Sequence, residues 1–161
     1  MTRWLPATLW GGMLLLIFYL SSQAGSPENS AGWLMALLRS IAPQLAERLT
    51  PEQLHALNYA FRKLGHGTGY FVLTLLGYWA FRCSFGLDAR PALRWAILTS
   101  LLRAIIDEIH QAFVPGRTGT VVDVMIDAVG IALAAWLIRR RGKITYTNCA
   151  FKVRKNRRSS P

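Results

Sequence analysis

Residues 107 to 117 read DEIHQAFVPGR and carry two adjacent carboxylates, a histidine and a glutamine. Such side chains can donate or accept protons and can hold polar or charged ligands. Apolar stretches lie on both sides, ALRWAILTSLLRAII before and VVDVMIDAVGIALAAWLI after. Ionisable groups are costly at the end of a membrane helix, so they predict a functional site shared with neighbouring helices.

Helical spacing connects this stretch with other polar residues, because side chains four positions apart share a helix face. The pairs with this spacing are Arg103 with Asp107, Asp107 with Gln111, Asp123 with Asp127, and His66 with Tyr70. Lys63 and His66 are three apart and share a face as well. The spacing predicts one cluster built from several helices.

Composition indicates the solvent in which these helices lie. The chain has 161 residues, 52% of them hydrophobic, with a formal net charge of +11 and a mean hydropathy of +0.25. This pairing is unusual for a soluble domain and indicates a small integral membrane protein. The charge lies beside apolar runs and in the carboxyl-terminal tail, which favours anionic lipid headgroups over nucleic acid as its partner.

Four apolar runs are each about as long as a membrane span. They cover residues 4–20, 64–81, 93–113 and 121–138. The third run contains Arg103, Asp107 and Glu108, which must turn toward neighbouring helices to leave lipid. We therefore predict an all-α fold: an integral membrane bundle of four transmembrane helices, with a membrane domain over residues 1–138.

The first run has an alternative interpretation, a secretory signal with a small-residue cleavage site near Ala24. Its length and the tryptophan at its start favour a retained span. The placement of Lys and Arg, decided by nine basic residues in the tail at 139–161, predicts that both termini are cytoplasmic. The tail is expected to bind anionic lipids of the inner leaflet.

Residues 24–63 then form the long external segment. Ser30 is a candidate N-cap for a helix with an apolar face, and Thr50-Pro51-Glu52-Gln53 is a second helix start with a capping box. One or two short amphipathic helices on the outer side are predicted. They could instead form a lid over the spans.

With this topology every span places polar groups at its outer end, with Asp107 and Asp127 at matched depth. Gly65 and Gly69 have the small-residue spacing that lets membrane helices approach closely. Val114-Pro115-Gly116-Arg117 predicts a tight turn that folds the fourth span back on the third. A polar pocket at the outer face is the prediction.

Individual members of this cluster also have alternative interpretations as purely structural residues. Arg103 with Asp107 can be a structural ion pair, Asp123 can close a helix cap begun at Thr120, and His66 can be a packing residue. The prediction of a pocket requires that the side chains of all these residues lie close together in the fold.

The segments FYLSSQ, RKLGHGTGYFVL and DEIHQAFVPGRTGTVVDVMIDAVG resemble the VanZ-like membrane proteins. The resemblance runs from Ile17 to about residue 138 and is most specific in the DE-x-x-Q-x-F-x-P-G-R stretch. It implies a small multi-span protein of the bacterial cytoplasmic membrane, linked to the envelope. The family is named for a protein that lowers susceptibility to teicoplanin.

The resemblance also implies site residues by motif match. These are Ser22, Gln23, Lys63, His66, Glu108, Gln111, Arg117 and Asp123 for binding, with His66, Asp107 and Glu108 as candidates for catalysis. The family pattern more often has Asn at the position of Asp127.

Three functional classes follow. The first is a module that binds or shields an envelope lipid or precursor, with Lys63 and Arg117 meeting phosphate. The second is an enzyme acting on such a lipid, with His66, Asp107 or Glu108 as acid and base. The third is a proton-coupled carrier, which the apolar inner halves of the spans disfavour.

No metal-ligand motif of fixed spacing is present, so no metal or cofactor is assigned. A divalent cation held by His66, Glu108 and Asp123 is a less favoured alternative.

Overall fold

The computed structural model describes residues 3–141, all of whose regular structure is helical, so the predicted all-α class is confirmed. Six α-helices occur in the order α1 (Leu5–Ser21), α2 (Pro27–Ile41), α3 (Pro43–Arg48), α4 (Pro51–Cys83), α5 (Ala89–Ala112) and α6 (Val121–Arg140). A single 3₁₀ turn, Gln23–Gly25, joins α1 to α2.

Helix α4 lies at the centre of the fold, because α1, α5 and α6 all pack against it. One core cluster joins Ile17, Tyr70, Leu73, Ala104 and Ile131, one or two from each of these four helices. A second cluster lies nearer the carboxyl end of α4 and includes Tyr78, Ala96 and Ile138. The four longest apolar segments therefore form one bundle.

The second predicted span is part of a longer helix than the sequence indicated. The capping box at Thr50 and Gln53 is present as predicted and begins α4. Since no proline interrupts residues 52–83, the helix runs on for 33 residues. The helix predicted from Thr50 and the span predicted from residue 64 are thus one continuous helix.

Helices α2 and α3 are the two short helices on the same side as the start of α4. Helix α2 begins earlier than predicted, because Ser26 rather than Ser30 caps it, with its hydroxyl accepting from the Asn29 amide at 3.3 Å. Asn58 of α4 donates to the Pro27 carbonyl at 2.8 Å and fixes α2 against this helix.

A close contact between two helices occurs at glycines other than the two that the spacing predicted. A Cβ at Gly130 would overlap the backbone carbonyl of Gly67, so α6 and α4 touch at this crossing. A Cβ at Gly65 or Gly69 would meet nothing within 4 Å. The prediction of a close approach at Gly65 and Gly69 is wrong, because their face borders a cavity and not a neighbouring helix.

Within residues 3–141 one helix, Val121–Arg140, is both long and apolar enough to cross a membrane, and Leu5–Ser21 is apolar but shorter. The other two predicted spans lie in α4 and α5. These helices contain polar residues, which lower their mean hydropathy. The bundle of four transmembrane helices therefore stays a prediction. The predicted membrane contact of the basic tail falls mostly on residues 142–161, outside the described residues.

Candidate functional site

The end of the bundle near the turn between α5 and α6 gathers most of the polar residues singled out in the sequence. Asp107, 2% exposed, is the centre of the first group. It accepts hydrogen bonds from the Ser21 hydroxyl and from Gln111 Nε2 at 3.2 Å. Arg103 Nη2 lies 2.9 Å from its Oδ1. With three partners, Asp107 is a structural acceptor that ties α1 to α5.

A second group begins helix α6. The Lys63 ammonium pairs with Asp123 Oδ1, and the Thr120 hydroxyl donates to Asp123 Oδ2 at 2.8 Å. Thr120 also caps the helix by accepting from the Asp123 amide at 3.1 Å. The cap begun at Thr120 is present, but Asp123 does not close it: the Thr120 amide bonds to Glu108, and the Asp123 carboxylate accepts from the Thr120 hydroxyl. The ion pair of Asp123 with Lys63 links α6 to α4.

The third group surrounds His66 and contains two carboxylates. His66 Nδ1 lies 3.3 Å from Asp127 Oδ1 and 3.8 Å from Glu108 Oε1. The other Glu108 oxygen accepts from the Thr120 amide at 2.8 Å and so helps to cap α6. Asp127 is fully buried, and neither of its oxygens makes a hydrogen bond. One imidazole therefore faces two carboxylates.

Arg117 is the last residue of the turn after α5 and fixes the junction between α1 and α2. Its Nη1 donates to the Gly25 carbonyl, and its Nη2 donates to the Leu20 carbonyl at 3.0 Å. The turn itself is as predicted, with Arg117 N donating to the Val114 carbonyl at 3.1 Å and Gly116 at a φ of +74°. Arg117 is thus largely engaged by backbone carbonyls.

Ser22 and Gln23, carried over by the family motif, also contact backbone. The Ser22 hydroxyl donates to the Tyr19 carbonyl at 2.6 Å, and Gln23 Nε2 donates to the Pro115 carbonyl at 3.2 Å. Both contacts shape the junction after α1. These side chains stabilise the backbone around the site. Their contacts do not indicate that either residue binds a ligand directly.

A cavity of about 370 Å³ opens beside the first and third groups. Apolar side chains of α1, α2 and α4 form much of its wall. Its polar lining comprises Ser21, Ser30, Arg62, His66, Asp107, Gln111 and Arg117. Lys63, Glu108, Asp123 and Asp127 do not line it. The sequence-predicted residues thus separate into those that border the cavity and those that lie behind His66.

Arg62 borders this cavity and was not selected from the sequence. Within residues 3–141 its guanidinium makes no hydrogen bond or close ion pair, but it lies near enough to Glu28 to help lower the pKa of that carboxyl. Burial and, after it, the like charge of Arg62 lower the pKa of Arg117. Two guanidinium-bearing residues, Arg62 and Arg117, therefore line the same cavity, an arrangement that an anion would stabilise.

Ser21 and Arg62 line the cavity but were not predicted to do so. Their positions on their helices, relative to Ile17 and His66, are the sequence signal that could have identified them. Ser21 follows the buried Ile17 by four positions, whereas Ser22 does not. Arg62 precedes His66 by four positions in the same way. Ser21 and Arg62 therefore lie on faces that border the cavity, whereas their neighbours Ser22 and Lys63 do not line it.

A sequence model of the family described as VanZ/LLP1 matches residues 7–144. The chain belongs to the VanZ/LLP1 family. The predicted VanZ-like resemblance is therefore confirmed, and the match includes all six helices from the third residue of α1 onward. No curated protein and no solved structure gives a significant match to this VanZ/LLP1 chain.

The geometry of this VanZ/LLP1 site limits its chemistry. Asp107 and Asp123 each have a cationic partner, so they are poor candidates for a free base. His66 is the residue that both borders the cavity and contacts carboxylates behind it. This arrangement can support two functions. One is ligand binding at the cavity, and the other is cation or proton binding behind His66.

Proposed function

We propose that this VanZ/LLP1 chain is a multi-span protein of the bacterial cytoplasmic membrane that binds an anionic envelope lipid or lipid-linked precursor at its outer face. The observation that carries the proposal is the cavity with apolar walls and two guanidinium groups, Arg62 and Arg117, at its polar lining. By family association, binding would shield the envelope target of a glycopeptide such as teicoplanin.

The distribution of exposed apolar side chains supports the membrane part of the proposal. On α5, Leu98, Leu102 and Ile109 are each more than half exposed. On α6, Met125, Val129, Leu133 and Trp136 follow one another at intervals of three or four and are exposed as well. The polar Ser100 and Thr74 are buried instead, joined by a 3.0 Å hydrogen bond. Contiguous exposed apolar stripes over a partly polar interior favour lipid as the surrounding medium.

The cavity lining supports an amphipathic anion as the ligand. Met13, Ile17, Trp33 and Phe61 provide surface for an acyl or prenyl chain, and Arg62 provides planar N–H donors that suit phosphate. Lys63, expected to meet phosphate, is occupied by Asp123. The proposal therefore places the phosphate at Arg62, with Arg117 as the second positive charge.

Orientation can be tested by single-cysteine labelling. After Cys83 and Cys149 are replaced, a cysteine at Ser159 should stay unlabelled by an impermeant reagent in intact cells, and a cysteine at Thr118 should be labelled. The expected difference follows from both termini being cytoplasmic. Labelling at Ser159 in intact cells, with none at Thr118, would reverse the orientation and place the cavity inside.

The phosphate contact can be tested by replacing Arg62 with Gln. Purified full-length protein in detergent is titrated with a polyprenyl phosphate and with the matching uncharged polyprenol, and binding is followed by tryptophan fluorescence. The wild type should prefer the phosphate, and the Arg62→Gln variant should bind it about tenfold more weakly or worse, as for a lost charge-assisted hydrogen bond.

Arg48→Gln is the matched control, since Arg48 is exposed on α3 and away from the cavity. It should bind the polyprenyl phosphate like the wild type. Equal binding of the phosphate and the polyprenol by the wild type would contradict an anionic ligand. In a teicoplanin-susceptible host, protection by the wild type and Arg48→Gln but not by Arg62→Gln would link the cavity to resistance.

A second candidate, an enzyme acting on the same lipid, is favoured by the contact between His66 and Asp127 at 3.3 Å beside the cavity. A carboxylate next to a histidine is a common arrangement for a general base. Mass spectrometry of the lipid recovered from the binding assay separates the two functions. Unchanged lipid supports binding, and a changed headgroup supports catalysis.

A further inference from the structure

The group behind His66 contains more acceptor oxygens than donors. Asp127 is fully buried with both oxygens lacking a hydrogen bond, and Glu108, 6% exposed, leaves Oε1 without one. Burying carboxylate oxygens without a donor is costly unless a cation compensates. These unpartnered oxygens face the same imidazole nitrogen, His66 Nδ1.

Neighbouring positive charges do not supply the missing compensation. Lys63 pairs with Asp123, and Arg103 pairs with Asp107. The remaining carboxylates, those of Glu108 and Asp127, carry two formal negative charges against at most one on His66. The group therefore has the charge and the acceptor atoms of a site for a divalent cation.

The distances fit a metal with imidazole and carboxylate ligands. His66 Nδ1, a Glu108 oxygen and an Asp127 oxygen all lie within 4.8 Å of one another. Ligand atoms about 2.0 to 2.2 Å from a tetrahedral Zn²⁺ lie roughly 3.3 to 3.5 Å apart. The observed separations of 3.3 and 3.8 Å from Nδ1 need a shift of a few tenths of an ångström. The two carboxylate oxygens, which lie within 4.8 Å of each other, would have to move together by up to about 1.3 Å.

We infer that His66, Glu108 and Asp127 form a binding site for a divalent transition-metal ion, of which Zn²⁺ fits best. The nitrogen ligand disfavours Mg²⁺ and Ca²⁺, which take oxygen ligands. Three protein ligands leave a fourth position for water. The Thr120 amide, bonded to the second Glu108 oxygen, would orient that ligand. The site lies behind the cavity and does not depend on which lipid the cavity binds.

The site can be tested with full-length protein whose affinity tag has been removed and which has been stripped with a chelator in detergent. Bound metal is measured after equilibrium dialysis against Zn²⁺, Mn²⁺, Mg²⁺ and Ca²⁺. The wild type should bind one Zn²⁺ per chain and gain thermal stability. Asp127→Asn should weaken Zn²⁺ binding by about 100-fold or more, at least the loss seen when an outer partner of a metal ligand is removed.

Asp88→Asn is the control, because it makes the same chemical change at an exposed residue before α5. It should bind Zn²⁺ like the wild type. Glu108→Gln keeps an oxygen for the Thr120 amide and provides a second test if Asp127→Asn does not fold. The inference is overturned if the wild type binds no Zn²⁺, if it prefers Mg²⁺ or Ca²⁺, or if a folded variant of either ligand binds Zn²⁺ as tightly as the wild type.

Discussion

The Asp107→Asn variant should lose about 3 kcal/mol of unfolding free energy and most of its folded yield. Asp107 is the anionic partner of Arg103, whose side chain is 13% exposed. Removing one member of a buried ion pair leaves the other charge uncompensated, which costs about 3 to 5 kcal/mol. The new amide would also place N–H groups opposite Gln111 Nε2, a donor. The loss should appear on titration with a denaturing detergent followed by circular dichroism.

Asp88→Asn again serves as the matched control and should change stability by no more than about 0.5 kcal/mol, as expected for an exposed position. Glu108→Gln should be much milder than Asp107→Asn, because the amide oxygen can still accept from the Thr120 backbone. An Asp107→Asn protein as stable as Asp88→Asn would show that Arg103 has another way to be compensated.

The second large effect is expected for Gly130→Ala, at the crossing of α6 and α4. The added methyl group would overlap the Gly67 carbonyl oxygen and lie 3.2 Å from the Phe71 nitrogen. Backbone atoms cannot rotate away as side chains do, so the two helices must separate. We expect a loss of about 3 kcal/mol, at the upper end for overpacked interiors, in the same unfolding titration.

Gly12→Ala tests whether the effect belongs to the crossing or to glycine in general. A Cβ at Gly12 meets nothing within 4 Å, so alanine there should stabilise α1 by about 0.5 to 1 kcal/mol. If both variants were stabilised, the helices would be free to move apart at Gly130 without cost, and the crossing would not be a tight one.

Local features were the ones that the sequence predicted well. The capping box of Thr50 and the turn at Pro115 and Gly116 depend on residues within four positions of each other, so their chemistry can be read directly. The cap that the Thr120 hydroxyl provides for α6 is of the same kind. Each of these is present in the structure.

Features that depend on how two helices are rotated against each other were predicted less well. Gly65 and Gly69 have the spacing of a close contact, but the contact lies midway between them, at Gly67, which is two positions from each. The partner of His66 is Asp127 and not Asp123, because Lys63 takes Asp123. Spacing defines which residues share a face, and only packing decides which neighbour that face meets.

The continuity of α4 has a consequence for the cavity. At about 1.5 Å per residue its 33 residues extend roughly 50 Å, well beyond a hydrocarbon core of about 30 Å. A loop near Leu64 would have acted as a hinge between the predicted external segment and the predicted span, but the helix continues through this position without a break. Arg62 and His66 therefore lie on one continuous, rigid helix that forms a wall of the cavity. The spacing between these two side chains is thereby fixed, and a change in the width of the cavity would come from the helices that form its other walls, such as α1 and α2.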